Sequence, residues 1–256
     1  MKIAVLIKQV PDTETERHLS ANGRANRDAS DRVIDEITER ALEVALQQKD
    51  ADKSVEIVVV TMGPDDAAQA LRKALSMGAD KAIHVQDDLL GGSDALTTAR
   101  VLAAALGDAG ADLIIAGNES TDGRGGVVPA MIAEALDLPF LGPLDTVEVA
   151  GAAVRGRRSD AEGVTVLRAA TPAVISVSEA VGEARFPKFK GILAAKRKQV
   201  AVQHAVDLGI SSPDHAAGNL VLSVSQRPAR TAGTKIVDDG QAAAQLAAYL
   251  VAEKLI

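Results

Sequence analysis

The chain has 256 residues, 47% of them hydrophobic, and a formal net charge of −7. That is enough apolar material for one large α/β domain, or for a domain with a substantial appendage, and the acidity argues against general nucleic-acid affinity. Cys and Trp are absent, with one Tyr and three Phe, which removes disulfides, thiolate catalysis and Cys-ligated clusters and leaves few rings to stack on bases or flavins. The core must therefore be built from Ala, Val, Ile and Leu.

Ile3 to Ile7 is a continuous apolar run between Lys2 and Lys8, the pattern of a buried parallel strand. It is too short for a signal h-region, and no apolar segment reaches about 18 residues, so a soluble cytoplasmic protein without membrane insertion is expected. Lys8-Gln9-Val10-Pro11-Asp12 follows at the carboxyl end of the strand. Thr13 to Arg32 is polar, and its Asn22-Gly23 turn signal allows a small hairpin. Asp31 to Gln48 has helical spacing at Ile34, Ile37, Ala41, Val44 and Ala45, with Ser30 or Asp31 to cap it. Val55 to Val60 reads as a second strand, closed by Thr61-Met62-Gly63-Pro64. Asp65 to Met77 is expected to be a helix ending at Gly78. Lys81 to Val85 is a third strand, and its His84 reads as structural. Ser93 to Leu106 is a helix with Ser93 or Asp94 as cap.

Leu113 to Ala116 is a fourth apolar strand. The chain then turns polar and glycine-rich from Gly117 to Val128 and becomes helical over 128–136, with Pro129 in the first turn. Strand, glycine-rich loop and helix N-terminus together make an arrangement that binds phosphate, because free N–H groups and the helix dipole favour an anion. The loop fits neither GxGxxG nor GxxxxGK[ST], so an ordinary strand-to-helix loop stays open as the alternative. Alternating strands and helices predict a doubly wound, mostly parallel α/β sheet with its ligand loops at the carboxyl ends of the strands.

After Pro143 the pattern changes. Thr146 to Val149, Ala153 to Arg157 and Val164 to Arg168 read as an antiparallel meander extending the sheet, and Ala173 to Val177 as a further buried strand. The stretch from Arg185 to Lys198 holds two of the three Phe residues among Lys and Arg. It reads either as a docking surface for an acidic partner or as a solvated helix with its Phe in the core. Ala201 to Ile256 is a tail. Asp207 to Ile210 and Ser211 to Asp214 look irregular, Val221 to Val224 strand-like, and Arg227 to Gly233 extended. Gln241 to Leu255 forms an amphipathic helix, which wraps a partner subunit or packs on its own domain. His18, His84, His204 and His215 are scattered, and Asp65-Asp66 and Asp87-Asp88 are adjacent pairs whose side chains diverge. These residues point to an α/β nucleotide binder with no visible catalytic set.

Several segments resemble the β subunit of the electron-transfer flavoprotein family (ETF β / FixA). They are Lys8 to Asp12, Met62-Gly63-Pro64, Ala74 to Ala82, the Gly117–Val128 loop and Ala133 to Pro139. The family signature region resembles Leu167 to Val177, continuing through Ala184 to Pro187 and on to Ala194 to Lys198. Arg230-Thr231-Ala232-Gly233 matches in the tail. The resemblance implies an adenine nucleotide α-hydrolase-like domain over residues 1–200, with a recognition loop at about 184–198. Residues 201–256 would be an arm and helix wrapping an α subunit in an obligate heterodimer. It implies FAD shared with the α subunit and a buried structural AMP in the β chain. Carried over by position, nucleotide contacts fall at Leu6, at Asp35, Glu36, Ile37 and Thr38, at Met62, and along Gly117, Asn118, Glu119, Ser120, Thr121, Asp122, Gly123, Arg124, Gly125, Gly126, Val127 and Val128. Relatives carry polar side chains at the last three positions, so contacts there must be backbone N–H. Phe189 stands at the apolar anchor that docks on acyl-CoA dehydrogenases, with Lys190, Lys196, Arg197 and Lys198 supplying complementary charge. The implied role is an electron carrier in fatty acid oxidation, passing electrons to a quinone oxidoreductase, rather than an enzyme with its own acid and base. Two alternatives are a bifurcating β subunit with a second FAD in the AMP site, and a universal-stress-type nucleotide module.

Overall fold

Apolar runs without a polar face must be covered on both sides, and the chain does this by interleaving them with helices. The computed structural model describes residues 1–210, 221–225, 227–230 and 232–256. In chain order the elements are β1 (Lys2–Leu6), β2 (Gln9–Pro11), β3 (Arg32–Ile34), α1 (Glu36–Ala51), β4 (Glu56–Met62), α2 (Ala68–Met77), β5 (Lys81–Val85), α3 (Ala95–Ala109), β6 (Leu113–Gly117) and α4 (Val128–Ala135). They continue with β7 (Phe140–Leu144), β8 (Thr146–Ala150), β9 (Ala153–Asp160), β10 (Gly163–Ala170), β11 (Ala173–Val177), α5 (Phe189–Ala195), β12 (Val200–Gln203) and α6 (Ala242–Ala252).

The main sheet has seven strands in the order β12-β5-β4-β1-β6-β11-β7, and every pairing in it is parallel. This is the doubly wound α/β architecture expected. The α1 and α2 helices pack one face, where Leu42, Leu46, Leu71 and Leu75 meet Ile3, Ile57 and Ile115. The other face is covered by α3 and α4, where Leu102, Leu106 and Ile132 meet Ala4, Val58 and Ile114. Local signals set the helix ends. Asp94 accepts the Thr97 N–H at 2.8 Å as N-cap of α3, and Gly110 ends the same helix in the left-handed region (φ 59°).

Several boundaries differ from the sequence reading. The helix expected from Asp31 begins at Glu36, because Arg32–Ile34 pairs with Gln9–Pro11 as a two-stranded antiparallel ribbon. The hairpin expected near Asn22-Gly23 reduces to one isolated bridge, Leu19 with Ala25. The meander forms, but as a separate three-stranded sheet β10-β9-β8. Two strands of the main sheet were not foreseen. One is β7, which contains Pro143 and sits at an edge, where a missing N–H is tolerated. The other is β12, which begins at residue 200, where the domain boundary was expected, and pairs with β5 at the opposite edge.

The chain divides into two compact units, Met1–Val221 and Leu222–Ile256. In the second unit a helix, α6, lies within the stretch Gln241 to Leu255 where one was expected, but its sequence is apolar on all sides apart from Gln245, and its Leu246, Tyr249 and Val251 are at least half exposed. Val221 to Val224 forms no strand. The readings at Ser211 to Asp214, His215 and Thr231 lie outside the described residues. Among the described residues no helix is long and apolar enough to cross a membrane.

Ile115, in the middle of β6, has no exposed surface. Ile115→Ala is expected to lower the free energy of unfolding by about 2–5 kcal/mol through lost burial and a residual cavity, measured by urea denaturation with an unchanged m-value.

Candidate functional site

The strand order reverses between β1 and β6. From β1 the chain leaves through α1 over one face to β4, whereas β6 leaves through α4 over the other. A crevice must open at the carboxyl ends of the strands there. It holds a cavity of about 350 Å³, walled by Leu6, Val60, Met62, Ala116 and Leu102 and rimmed by the β6–α4 loop. Three helices point their first turns at it: α1 through Ile37 and Thr38, α3 through Ser93 to Ala95 and Thr98, and α4 through Val127 to Pro129. Unsatisfied N–H groups and aligned dipoles make each of these ends favourable to negative charge.

Backbone geometry fits the loop to this role. A Cβ on Gly117 would stand 2.7 Å from Ile37 Cγ2, so only glycine lets the α1 N-terminus approach β6 so closely. Gly126 lies in the left-handed region (φ 63°). The N–H groups of Gly125, Gly126 and Val127 make no hydrogen bond to described residues, which leaves them for a ligand.

Two buried carboxylates fix the loop. Asp122, with a side chain 4% exposed, accepts from Lys8 Nζ at 2.6 Å and from Arg27 Nη2. Lys8 Nζ also donates to Ser120 Oγ at 3.0 Å. Burial pushes the Asp122 carboxyl up, but the hydrogen bonds and charge of Lys8 and the hydrogen bond from Arg27 outweigh it, and hold the group well below the usual carboxylate range. Asp35 has no such cation in contact. Its Oδ2 accepts the Thr121 N–H at 2.9 Å, while its Oδ1 is buried without a partner. Burial raises its pKa against the opposing Thr121 N–H and the Lys8 charge, and the neighbouring Asp122 raises it further.

Of the expected nucleotide residues, Leu6, Ile37, Thr38, Met62, Gly117 to Ser120, Gly123 and Gly125 to Val128 line this cavity. Glu36, Thr121 and Arg124 face a second, polar cavity of about 520 Å³, shared with Arg17, Arg40 and Glu179. Asp35 and Asp122 line neither cavity and act as supports of the loop. Lys8 and the start of α3, Ser93 to Ala95, line the first cavity although they were not among the expected contacts. The signal for the latter was the Asp94 cap, combined with a strand order that brings the β5–α3 loop to the same edge.

The basic stretch folds as an extended segment followed by α5. Phe186 and Phe189 are 91% and 75% exposed, which overturns the reading of a helix with its Phe in the core. Ile192 and Leu193 are exposed beside them, as are Lys190, Lys196 and Arg197. Lys198 is placed differently: its Nζ turns inward to the Leu75 and Ala79 carbonyls at the end of α2, and burial lowers its pKa. The underside of α5 is locked. Arg72 Nη1 donates to the Ala195 and Lys198 carbonyls, each at 2.8 Å. A Cβ on Gly191 would collide with the Ser76 carbonyl. Arg185 fixes the segment before α5 with a two-pronged bond to Glu43, at 2.7 and 2.8 Å, and a third contact to Asp50 at 2.7 Å. His84 is a core residue, its Nε2 lying 3.0 Å from the Gly63 carbonyl.

Comparison with known proteins adds an independent finding. The family model described as "Electron transfer flavoprotein domain" matches residues 24–208. The chain is 51% identical to "Electron transfer flavoprotein subunit beta" of Mycobacterium tuberculosis, covering 99% of each chain. It is equally similar to the protein of the same name in Mycobacterium leprae, again over 99% of each. With that of Syntrophomonas wolfei it shares 37% identity, over 95% of this chain and 93% of the relative.

The Asp122 network makes a pH prediction. A carboxyl whose pKa is lowered by folding is protonated more readily when unfolded, so its stabilisation is present above the ordinary value of 3.8 and lost as pH falls through the folded pKa. Asp35, raised on folding, acts in the opposite sense and weakens the fold as pH rises above 3.8. Asp122→Asn is expected to be less stable than the parent by about 1–3 kcal/mol at neutral pH. In urea titrations that gap should close as the pH drops below 3.8.

Proposed function

The chain belongs to the electron transfer flavoprotein family, as one of its β subunits, and from that premise we propose that it is half of a cytoplasmic heterodimer that carries electrons from acyl-CoA dehydrogenases to a quinone oxidoreductase in fatty acid oxidation. The observation that carries this reading is the 51% identity to named β subunits over 99% of the chain. Its partner is an α subunit, which holds most of an FAD that supplies the redox chemistry when bound. This chain covers the flavin and presents the complex to its partners. The arm expected from residue 201 gives up its first residues to β12, and its remainder holds the α subunit, with Leu246, Tyr249 and Val251 of α6 offering exposed apolar contact.

The cavity at the β1–β6 reversal is assigned to AMP as a structural ligand. Its volume of about 350 Å³ lies within the range of small-ligand sites. Apolar walls suit a base, and the open N–H groups of Gly125 to Val127, with three helix N-termini, suit a phosphate. No side chain at Gly126, Val127 or Val128 can donate, so these positions would hold phosphate by backbone alone.

Phe189 is the proposed docking anchor. It stands on a helix whose other side is locked to α2, beside the exposed cations Lys190, Lys196 and Arg197. An apolar centre with a charged rim is the composition of a protein contact that exchanges quickly. Lys198 belongs to the locked underside.

Co-expression with the α subunit, followed by denaturation and quantification of the released nucleotides, tests the assignment. One FAD and one AMP per heterodimer are expected. Two FAD would instead give the bifurcating arrangement, and a stable colourless homodimer would overturn the role. Separately, Phe189→Ala should slow reduction of the heterodimer by an acyl-CoA dehydrogenase by about ten-fold or more at sub-saturating concentration, with FAD content unaltered. Unchanged kinetics would remove the docking assignment.

A further inference from the structure

Between Asp12 and Asp31 the chain makes an excursion in which no residue is buried. Its ends are joined by the β2–β3 ribbon and by the Asp12 N–H, which donates to the Asp31 carbonyl at 2.8 Å. Its body has no apolar contact of consequence, and Leu19 is 59% exposed. What holds it against the rest of the chain is three arginines, one of them ion-paired. Arg27 donates to buried Asp122 in the β6–α4 loop. The Arg24 guanidinium occupies the space that a Cβ on Gly92 would need, directly before Ser93 at the start of α3. Arg17 Nη1 reaches the Thr121 carbonyl at 3.4 Å.

These contacts fall on two different lips of the same cavity. Ser93 and Asp94 line one side, and Ser120 and Gly123, flanking Asp122, line the other. Arg24 and Arg27, three residues apart in one segment, thus span from the α3 lip, where Arg24 lies against Gly92, to the α4 lip, where Arg27 binds Asp122. A segment with no buried apolar surface opens locally at low free energy unless a specific contact holds it. Here that contact is a charge-assisted hydrogen bond to a carboxylate almost removed from water, much stronger than an exposed ion pair.

We propose that Arg24 and Arg27 are positioning residues for nucleotide retention: they strap the two lips of the cavity together, and Asp122 is the latch that decides how often the strap opens. The inference rests on the assignment of a nucleotide to this cavity. Lys8 holds the other oxygen of Asp122, so the latch carboxylate keeps one cation when the strap lifts, and the loop itself need not unfold for the mouth to open.

The test uses the heterodimer, stripped of its nucleotide and reloaded with AMP carrying a fluorescent methylanthraniloyl group on the ribose. Arg27→Gln, Arg24→Ser and the conservative Arg27→Lys are compared with the parent. Probe release is followed by stopped flow, and hydrogen–deuterium exchange is followed over residues 13–30. Arg27→Gln should speed release about ten-fold and raise exchange in the strap well beyond any change in β1, β4 and β6. Arg24→Ser should act in the same direction, and Arg27→Lys should restore much of the retention. Probe release from the parent should also quicken with added salt. Three results would overturn the proposal. The first is strap exchange that Arg27→Gln does not alter. The second is faster exchange with unchanged probe release, which removes the strap's role but leaves the nucleotide site standing. The third is a cavity that takes up no probe in the parent or any variant, which removes the nucleotide assignment and the strap's function together.

Discussion

A parallel sheet covered on both faces confines polar chemistry to its strand ends. Val5, Val59 and Ile115 stand side by side with no exposed surface, and a charged group among them would carry a heavy desolvation penalty. All the ionisable groups near the cavity therefore lie beyond the last residue of a strand, Lys8 after β1 and Asp122 after β6. Because the crossovers diverge at this one place, the same constraint that keeps the core apolar leaves an opening at its edge. The cavity is thus a consequence of strand order, and the loop sequence only furnishes it.

The furnishing depends on which carboxylate has a cation. Asp35 and Asp122 are both buried and belong to the same loop assembly, yet their proton affinities move in opposite directions. Asp122 is held by two cations from distant parts of the chain, whereas Asp35 is held by a backbone N–H and has one oxygen unsatisfied. A related device recurs around α5. There Arg185 and Arg72, fixed to carboxylates or helix-end carbonyls, leave Phe186 and Phe189 outside on a firm base. At Arg185 the planar guanidinium fork satisfies two carboxylates at once.

Much of this was legible in the sequence. The five apolar runs at the centre of the sheet are near-continuous, and each forms a strand within a residue or two of its expected limits. The glycine-rich loop falls where it was read, because Gly117 and Gly126 are required by local geometry. What escaped was non-local. β12 is four residues long and is a strand only because β5 offers it an edge. β7 contains a proline, a residue that argues against strand in any sequence reading. The start of α1 was misplaced because Ile34, counted into a helical stripe, points into the core from a ribbon instead. The partners of Asp122 at positions 8 and 27 follow no spacing rule. Lys198 matched its charged neighbours in composition and differs from them only through a neighbouring helix end.

The placement of β12 also bears on how the protein comes to be folded. From β11 the chain must pass four strands, β6, β1, β4 and β5, before β12 can join the far edge. On the way it crosses α1, where Arg40 donates to the Gly182 carbonyl and the segment's own Arg185 donates to Glu43, and then α2, where Arg72 donates to the Ala195 carbonyl. The track does not exist until those helices are already seated on the sheet. Pairings of such long sequence separation are made slowly, since loop closure precedes any reward from contact. Residues 178–199 are therefore among the last to settle, and the surface displaying Phe186 and Phe189 is assembled only on a finished sheet. A partially folded chain would not display that surface in its native form, so any partner that read it would read completed folding as well.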